Sequence, residues 1–324
     1  MRRMKGFSGS VLISLIVALI VLVLAGVSSS AEKFPSREIV IVCLATPGSM
    51  SDVTARVLAE YLKKELGVPV VVENRPEATG IKGTLDVYKA KPDGYMLVIN
   101  SVFRTAVQEV ILNPPYKILD MTYLGGYQGG SLQLVVSKDS PHRTLEDLKE
   151  ASKKKSLNCS IPSVGGFNHF GAIILKRKLG VNLEVVPFKG GPQQMTALMG
   201  GNVDLTLTDD LLATQHIEKI RLLAITTENR SKKFPGVPTF KELEYDFPHG
   251  ETYQGLSGPP GLPEEISKIL SDALAKVTKN PEYIDRLDKM GFTAVSMSGP
   301  KLRTVSEEFG KIAMEYKDLF MEKK

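Results

Sequence analysis

The chain has 324 residues, of which 43% are hydrophobic and 24% charged, with a net charge of +5. That length calls for one large or two medium domains, and the balanced composition excludes a disordered chain and a polytopic membrane protein. Two cysteines, and four histidines without HExxH spacing or close pairing, give no support for a disulfide scaffold or a metal centre, and no cofactor is expected.

Residues 1–31 run basic, apolar, small: MRRMK, then VLISLIVALIVLVLAGV over 11–27, then Ser28-Ser29-Ser30-Ala31. This order predicts an export signal, residues 1–30, cleaved near Ser30 or Ala31. The rival is a retained anchor, because an apolar stretch over 11–27 reaches the lower limit of a spanning helix. Cleavage removes Arg2, Arg3 and Lys5 and lowers the net charge from +5 to +2. Such a balanced mature chain gives no reason to expect nucleic acid as a partner.

Further on, short β-rich runs alternate with helical patterns. IVIVCLA (39–45) reads as a buried strand, and 52–66 as a helix with apolar Val53, Val57, Leu58, Tyr61 and Leu62 on one face, ended by Gly67. Strands follow at 68–74 and 95–100, then a strand at 132–137 and a helix at 144–153. Next come strand 156–161, helix 168–179, strand 183–188, helix 192–199, and strands 203–208 and 221–226. Helices at 263–278, 281–290 and 300–317 complete the chain. The alternation predicts an α/β fold with parallel sheets.

Two strand-to-helix loops carry the functional signal. The first is Thr46-Pro47-Gly48-Ser49-Met50-Ser51-Asp52, with Ser51 or Asp52 as the expected helix cap. The second is Pro162-Ser163-Val164-Gly165-Gly166-Phe167-Asn168, followed by His169. In open α/β sheets ligands bind beyond the carboxyl ends of strands. Unpaired amides and the partial positive charge of a helix N-terminus suit a carboxylate or phosphate there. The plainer alternative is a tight turn with a cap. Neither loop has GxxxxGK[ST] or GxGxxG spacing, and the chain has no GxSxG or cysteine–histidine signature. No nucleophile–base pair is visible, so no catalytic residue is assigned, and His169 reads as a helix-end or core residue.

Ordered motifs over nearly the whole mature chain then point to a family. They are PSREIVIV (35–42), PGSMSD (47–52), GVPVVVENRPEATG (67–80), PDGY (92–95) and SVGGFNHF (163–170). VPFKGGPQQMTALMGGNVD (186–204), IRLLAIT (220–226), FPGVPTFKEL (234–243), GLSGPPGLP (255–263) and MGF (290–292) follow. The chain resembles the substrate-binding receptors of tripartite tricarboxylate transporters, the Bug-type solute-binding proteins. The resemblance implies a two-domain type II periplasmic-binding-protein fold with a hinged cleft, with 34–134 and 255–324 in domain one and 135–254 in domain two. It implies a monomer on the periplasmic or extracellular side of the cytoplasmic membrane. There it would bind a di-, tri- or aromatic carboxylate and deliver it to the transporter's membrane components.

By the same resemblance the two loops face each other and grip a carboxylate through backbone amides. The matching positions are Pro47, Gly48, Ser49, Asp52, Ser163, Gly165, Gly166, His169, Lys189 and Gly190. A Cβ at Gly48 or Gly165 would then block the anion. Ser49, Glu77, Ser163 and Gly166 depart from the family pattern, which bears on ligand identity, and Asp209 and Asp210 either offer a ligand amine or hydroxyl a partner or serve as solvated or capping residues. Cys43 and Cys159 would lie in different domains as free, buried thiols. Two alternatives stand beside the receptor: a membrane-anchored carboxylate sensor, and an exported enzyme using the same cleft.

Overall fold

A computed structural model describes residues 33–321, apart from 246, 248 and 249. The predicted leader lies outside the described residues. The chain divides after Ser36, and from Arg37 onward the described residues form one unit.

In chain order the first half contains β1 (Ile39–Cys43), α1 (Met50–Leu66), β2 (Val70–Asn74), α2 (Ile81–Tyr88), β3 (Met96–Ser101) and α3 (Val102–Leu112). It continues with β4 (Thr122–Ser131), β5 (Gln133–Ser137), α4 (Leu145–Lys154), β6 (Leu157–Ile161) and α5 (Phe167–Arg177). Then follow β7 (Leu183–Pro187), α6 (Gly191–Met199), β8 (Leu205–Thr208), α7 (Asp210–Gln215) and β9 (Ile220–Ile225). The last part is β10 (Glu251–Gly258), α8 (Glu264–Lys279), α9 (Pro281–Lys289), β11 (Thr293–Ser298), α10 (Gly299–Glu315) and α11 (Lys317–Met321).

The strands form two sheets, in the orders β11-β4-β10-β3-β1-β2 and β7-β6-β8-β5-β9. The expectation of parallel sheets holds only in part. β1 runs parallel to β2 and β3, and β6 runs parallel to β7 and β8. β10 is antiparallel to both β3 and β4, β11 is antiparallel to β4, and β5 is antiparallel to β8 and β9. The parallel strands were legible because they are short, apolar and followed by helices. β4, with sequence TYLGGYQGGS, was not, since glycine lowers strand propensity. Its glycines serve close approach: a Cβ on Gly125 would lie 2.7 Å from the Met297 carbonyl oxygen of β11.

The main apolar core joins α3, α5 and α10 to the second sheet. Phe103 is its hub, with ring centroids 4.9 Å from Phe167, 5.1 Å from Phe170 and 5.1 Å from Phe309. This packing fixes the N-terminal ends of α3 and α5 next to each other. Cys43 and Cys159 are unpaired and buried on β1 and β6. Burial pushes both thiols up, to about 11 and about 12, so they stay neutral at physiological pH.

Candidate functional site

The first loop leaves β1 and enters α1. The cap is Ser49, not Ser51 or Asp52: its backbone is extended and its Oγ accepts the Asp52 N–H at 3.4 Å. Asp52 sits one turn in and reaches back. Its Oδ2 accepts the Gly48 N–H at 2.9 Å, and its Oδ1 accepts from Arg56 Nε at 3.0 Å and Asn74 Nδ2 at 2.8 Å. Burial works against this carboxylate, but the Gly48, Arg56 and Asn74 hydrogen bonds outweigh it and hold its pKa below the usual value. Gly48 has φ +78°, the left-handed geometry that makes the backward bond reachable.

The second loop repeats the construction. Gly166 caps α5, Gly165 has φ +75°, and the Gly165 N–H donates to Nδ1 of His169 at 3.1 Å. His169 is buried, with its ring edge-on to Phe320 at 5.4 Å between centroids. Burial lowers its pKa to about 4, so at neutral pH the imidazole is uncharged and free to accept.

These bonds move the available donors along the chain. The Gly48 and Gly165 amides, expected to hold an anion, are both occupied by side chains. The N–H groups of Met50 and Ser51, and of Phe167 and Asn168, open their helices and have no acceptor within them. The structure also corrects the steric expectation for Gly165. An added Cβ there would meet Ile111 of α3 at 3.2 Å, while one at Gly48 would meet nothing within 4 Å.

Both loops border one cavity of about 510 Å³. Of the sequence-selected residues, Ser49, Ser163, Lys189 and Gly190 line it. Gly166 lines a smaller adjoining pocket of about 60 Å³, and Pro47, Gly48, Asp52 and Gly165 line neither. His169 borders a separate surface pocket with Lys176 and Phe320. Met50, Ser51 and Asn168 border both the cavity and its small extension. Gly191 at the start of α6 adds a third helix N-terminus. Each of these helices follows a parallel strand, so strand carboxyl ends and helix N-termini surround one space. Their dipoles favour an anion.

Residues 54–312 match the family described as the tripartite tricarboxylate transporter family receptor. The chain belongs to that family. It is 33% identical over 293 residues to a UPF0065 protein from the gbd 5′ region of Cupriavidus necator, covering 89% of this chain and 86% of the relative. Its fold superposes on the periplasmic binding protein BugD with a TM-score of 0.82 at 27% identity, over 90% of this chain and 100% of that one. An R. palustris protein solved with adipate gives a TM-score of 0.82 at 23% identity, over 89% and 98% of the two chains. MatC from Rhodopseudomonas palustris, solved with bound malate, gives 0.79 at 23%, over 87% and 99%. The family is one of binding receptors, so the enzyme alternative falls away.

The receptor's cavity also holds Arg104, which the sequence did not single out, beside Asp209, which it did. Arg104, on the first turn of α3, borders both the cavity and its extension. Its Nη1 donates to the Leu44 carbonyl at 3.1 Å, and no carboxylate pairs with it among the described residues. Asp209 lines the same wall as the cap of α7, where its Oδ1 accepts the Leu212 N–H at 3.0 Å. Burial raises its pKa to about 6 despite that bond. Asp210 does not line the 510 Å³ cavity. It accepts from the Ser131 N–H at 3.2 Å and Gln133 Nε2 at 2.8 Å, and burial, with Asp209 adding to it, raises its pKa to about 7. A larger space of about 700 Å³ lies elsewhere, bordered by Glu228, Glu244, Glu251 and Glu308 against Lys241 and Lys301. Its excess of carboxylates has the wrong sign for an anionic ligand.

Proposed function

We propose that this receptor captures a small carboxylate outside the cytoplasmic membrane and delivers it to the membrane components of a tripartite transporter. One observation carries the reading: the N-termini of α1 and α5 meet at one cavity, leaving backbone donors there without intrahelical acceptors. The dicarboxylates adipate and malate in two structural neighbours support the ligand class. In this reading two domains, expected at 34–134 with 255–324 and at 135–254, each carry one sheet, with β5 falling wholly to the second and β10 wholly to the first, and they close over the ligand as a hinge. The mature protein starts near Ala31, is exported and works as a monomer. Within the described residues no helix is long and apolar enough to cross a membrane.

A thermal-shift screen over aliphatic, hydroxy and aromatic carboxylates tests the reading. A ligand at 100 times its Kd stabilises the native state by about 2.7 kcal/mol, a rise of several degrees for a chain of this size. Ligand recovered from the mixture should be chemically unchanged. A screen in which no carboxylate shifts the melt, or in which the ligand is consumed, contradicts the proposal.

A further inference from the structure

The small extension of the cavity has a polar lining that the two loops do not explain. Arg104 borders it together with Thr252 and Gln254 of β10. Gln254 is 1% exposed and Thr252 6% exposed, yet Gln254 Oε1 and Thr252 Oγ1 have no hydrogen-bond partner. Buried polar atoms are usually satisfied; the Thr252 hydroxyl can donate to a bound carboxylate, whereas Gln254 Oε1 only accepts and would need a donor.

Arg104, only part-buried, is short of protein partners as well. A guanidinium has five N–H donors, and the structure assigns this one a single acceptor, the Leu44 carbonyl. Elsewhere arginines are better served. Arg75 pairs with Glu73 and Asp86, Arg230 with Glu242, and Arg221 donates to the carbonyls of Lys138, Ser140 and His142. Among the described residues no acidic group forms an ion pair with Arg104. Asp209 spends an oxygen on its own helix, and the neighbouring Cys43 thiol stays neutral. A cation partly withdrawn from water without a counter-ion loses solvation, and on a cavity wall it is a candidate for binding an anion.

We infer that Arg104, with the Thr252 hydroxyl, forms a charge-paired subsite that anchors the ligand's carboxylate at the deep end of the cavity. This rests on the carboxylate-receptor reading and adds to it a fixed positive charge beside the helix-end amides. The planar fork of the guanidinium matches a carboxylate in a bidentate pair. The body of the ligand then lies toward the apolar wall of Leu44, Pro76, Pro187 and Phe188. A receptor so built rejects an isosteric amide, because the amide leaves the cation unpaired.

The test uses calorimetric titration of the mature protein with malate, adipate, hexanoate and benzoate, and with hexanamide and benzamide. Any acid that binds the wild type should bind Arg104→Gln at least 100-fold more weakly. A wild type that binds hexanoate or benzoate should prefer it to its amide by at least tenfold, and Arg104→Gln should lose that preference. Arg104→Lys keeps the charge without the fork and should recover part of the affinity. The ligand-free melting temperature of Arg104→Gln should equal or exceed that of the wild type, which a purely structural arginine would not allow. If an acid binds Arg104→Gln within threefold of the wild type, or the variant keeps the acid-over-amide preference, the subsite is wrong and the receptor reading stands. If none of the four acids binds the wild type, the receptor reading falls with it. If Arg104→Gln does not fold, Arg104→Lys decides: amide and acid binding it equally would overturn the subsite.

Discussion

The two loops at the cavity share a plan and differ in chemistry. In each, a glycine with positive φ precedes the helix cap, and a side chain one turn into the helix takes that glycine's N–H. Loop one uses the Asp52 carboxylate, paired with Arg56 and Asn74. Loop two uses the neutral His169 imidazole, buried against Phe320. The difference shows how a site can lock its backbone without spoiling its field. The negative latch carries its own cation, and the unpaired latch is uncharged, so neither opposes an anion at the helix ends. It also gives the loops different acid sensitivities.

The largest expected effect is on pH. The unfolded chain takes up a proton at His169 near 6.5, and the folded chain only near 4. The stability this neutral histidine contributes is whole above about 6.5. It is lost progressively as pH falls toward 4, by about 3 kcal/mol in all. Asp209 and Asp210, whose folded pKa values are raised, act in the opposite sense as pH falls from about 7. The comparison that isolates loop two is therefore wild type against His169→Gln, which can still accept the Gly165 N–H without titrating. Urea melts between pH 7 and pH 4 should show the wild type losing stability relative to the variant. Parallel curves would mean that His169 carries no such role. Loop one, with its depressed carboxylate, should hold until pH falls below the ordinary range for Asp.

Asp52→Ala comes next. It removes the acceptor of the Gly48 N–H and one acceptor each from Arg56 and Asn74, which still bond to each other, at a cost of about 2 kcal/mol at pH 7 by denaturant melt. A cost within 0.5 kcal/mol of zero, the size of an ordinary surface change, would show that loop one needs no latch. Glycine substitutions sharpen the contrast further. Gly48→Ala places a Cβ in open space but in left-handed geometry, for about 1 kcal/mol. Gly165→Ala adds the collision with Ile111, for about 2 kcal/mol. Equal costs for the two would contradict the packing of loop two against α3. The smallest effect is Ser163→Ala, which removes one half-buried hydroxyl from the cavity wall and should weaken ligand binding by about 1 kcal/mol in a titration.

Much of this was legible in the sequence, for reasons visible in particular residues. IVIVC and LNCSI announce buried strands, and the loops after them stand out through Pro, Gly and Ser. The antiparallel strands β4, β10 and β11 were missed, since TYLGGYQGGS lacks both alternation and β-branched residues except its first threonine. Both loops border the cavity, but the side-chain acceptors of the Gly48 and Gly165 N–H groups were not legible. Which side chain folds back onto the glycine N–H, here Asp52 and His169, is set by the fold, and a glycine's neighbours in space are not its neighbours in sequence. Arg104 was invisible because it lies within VFRTAVQEVIL, a helix whose neighbours are mostly core. Its want of a carboxylate partner is a property of the fold, formed only when β1, α3 and the second loop meet.

The most direct test of the account is amide hydrogen exchange with and without the best ligand from the screen. The account predicts new protection at Met50 and Ser51 in α1 and at Phe167 and Asn168 in α5 together, with little change at Gly48 and Gly165, whose N–H groups are already bonded. Protection confined to one helix, or appearing instead around Phe240 and Tyr253 at the larger acidic cavity, would contradict it.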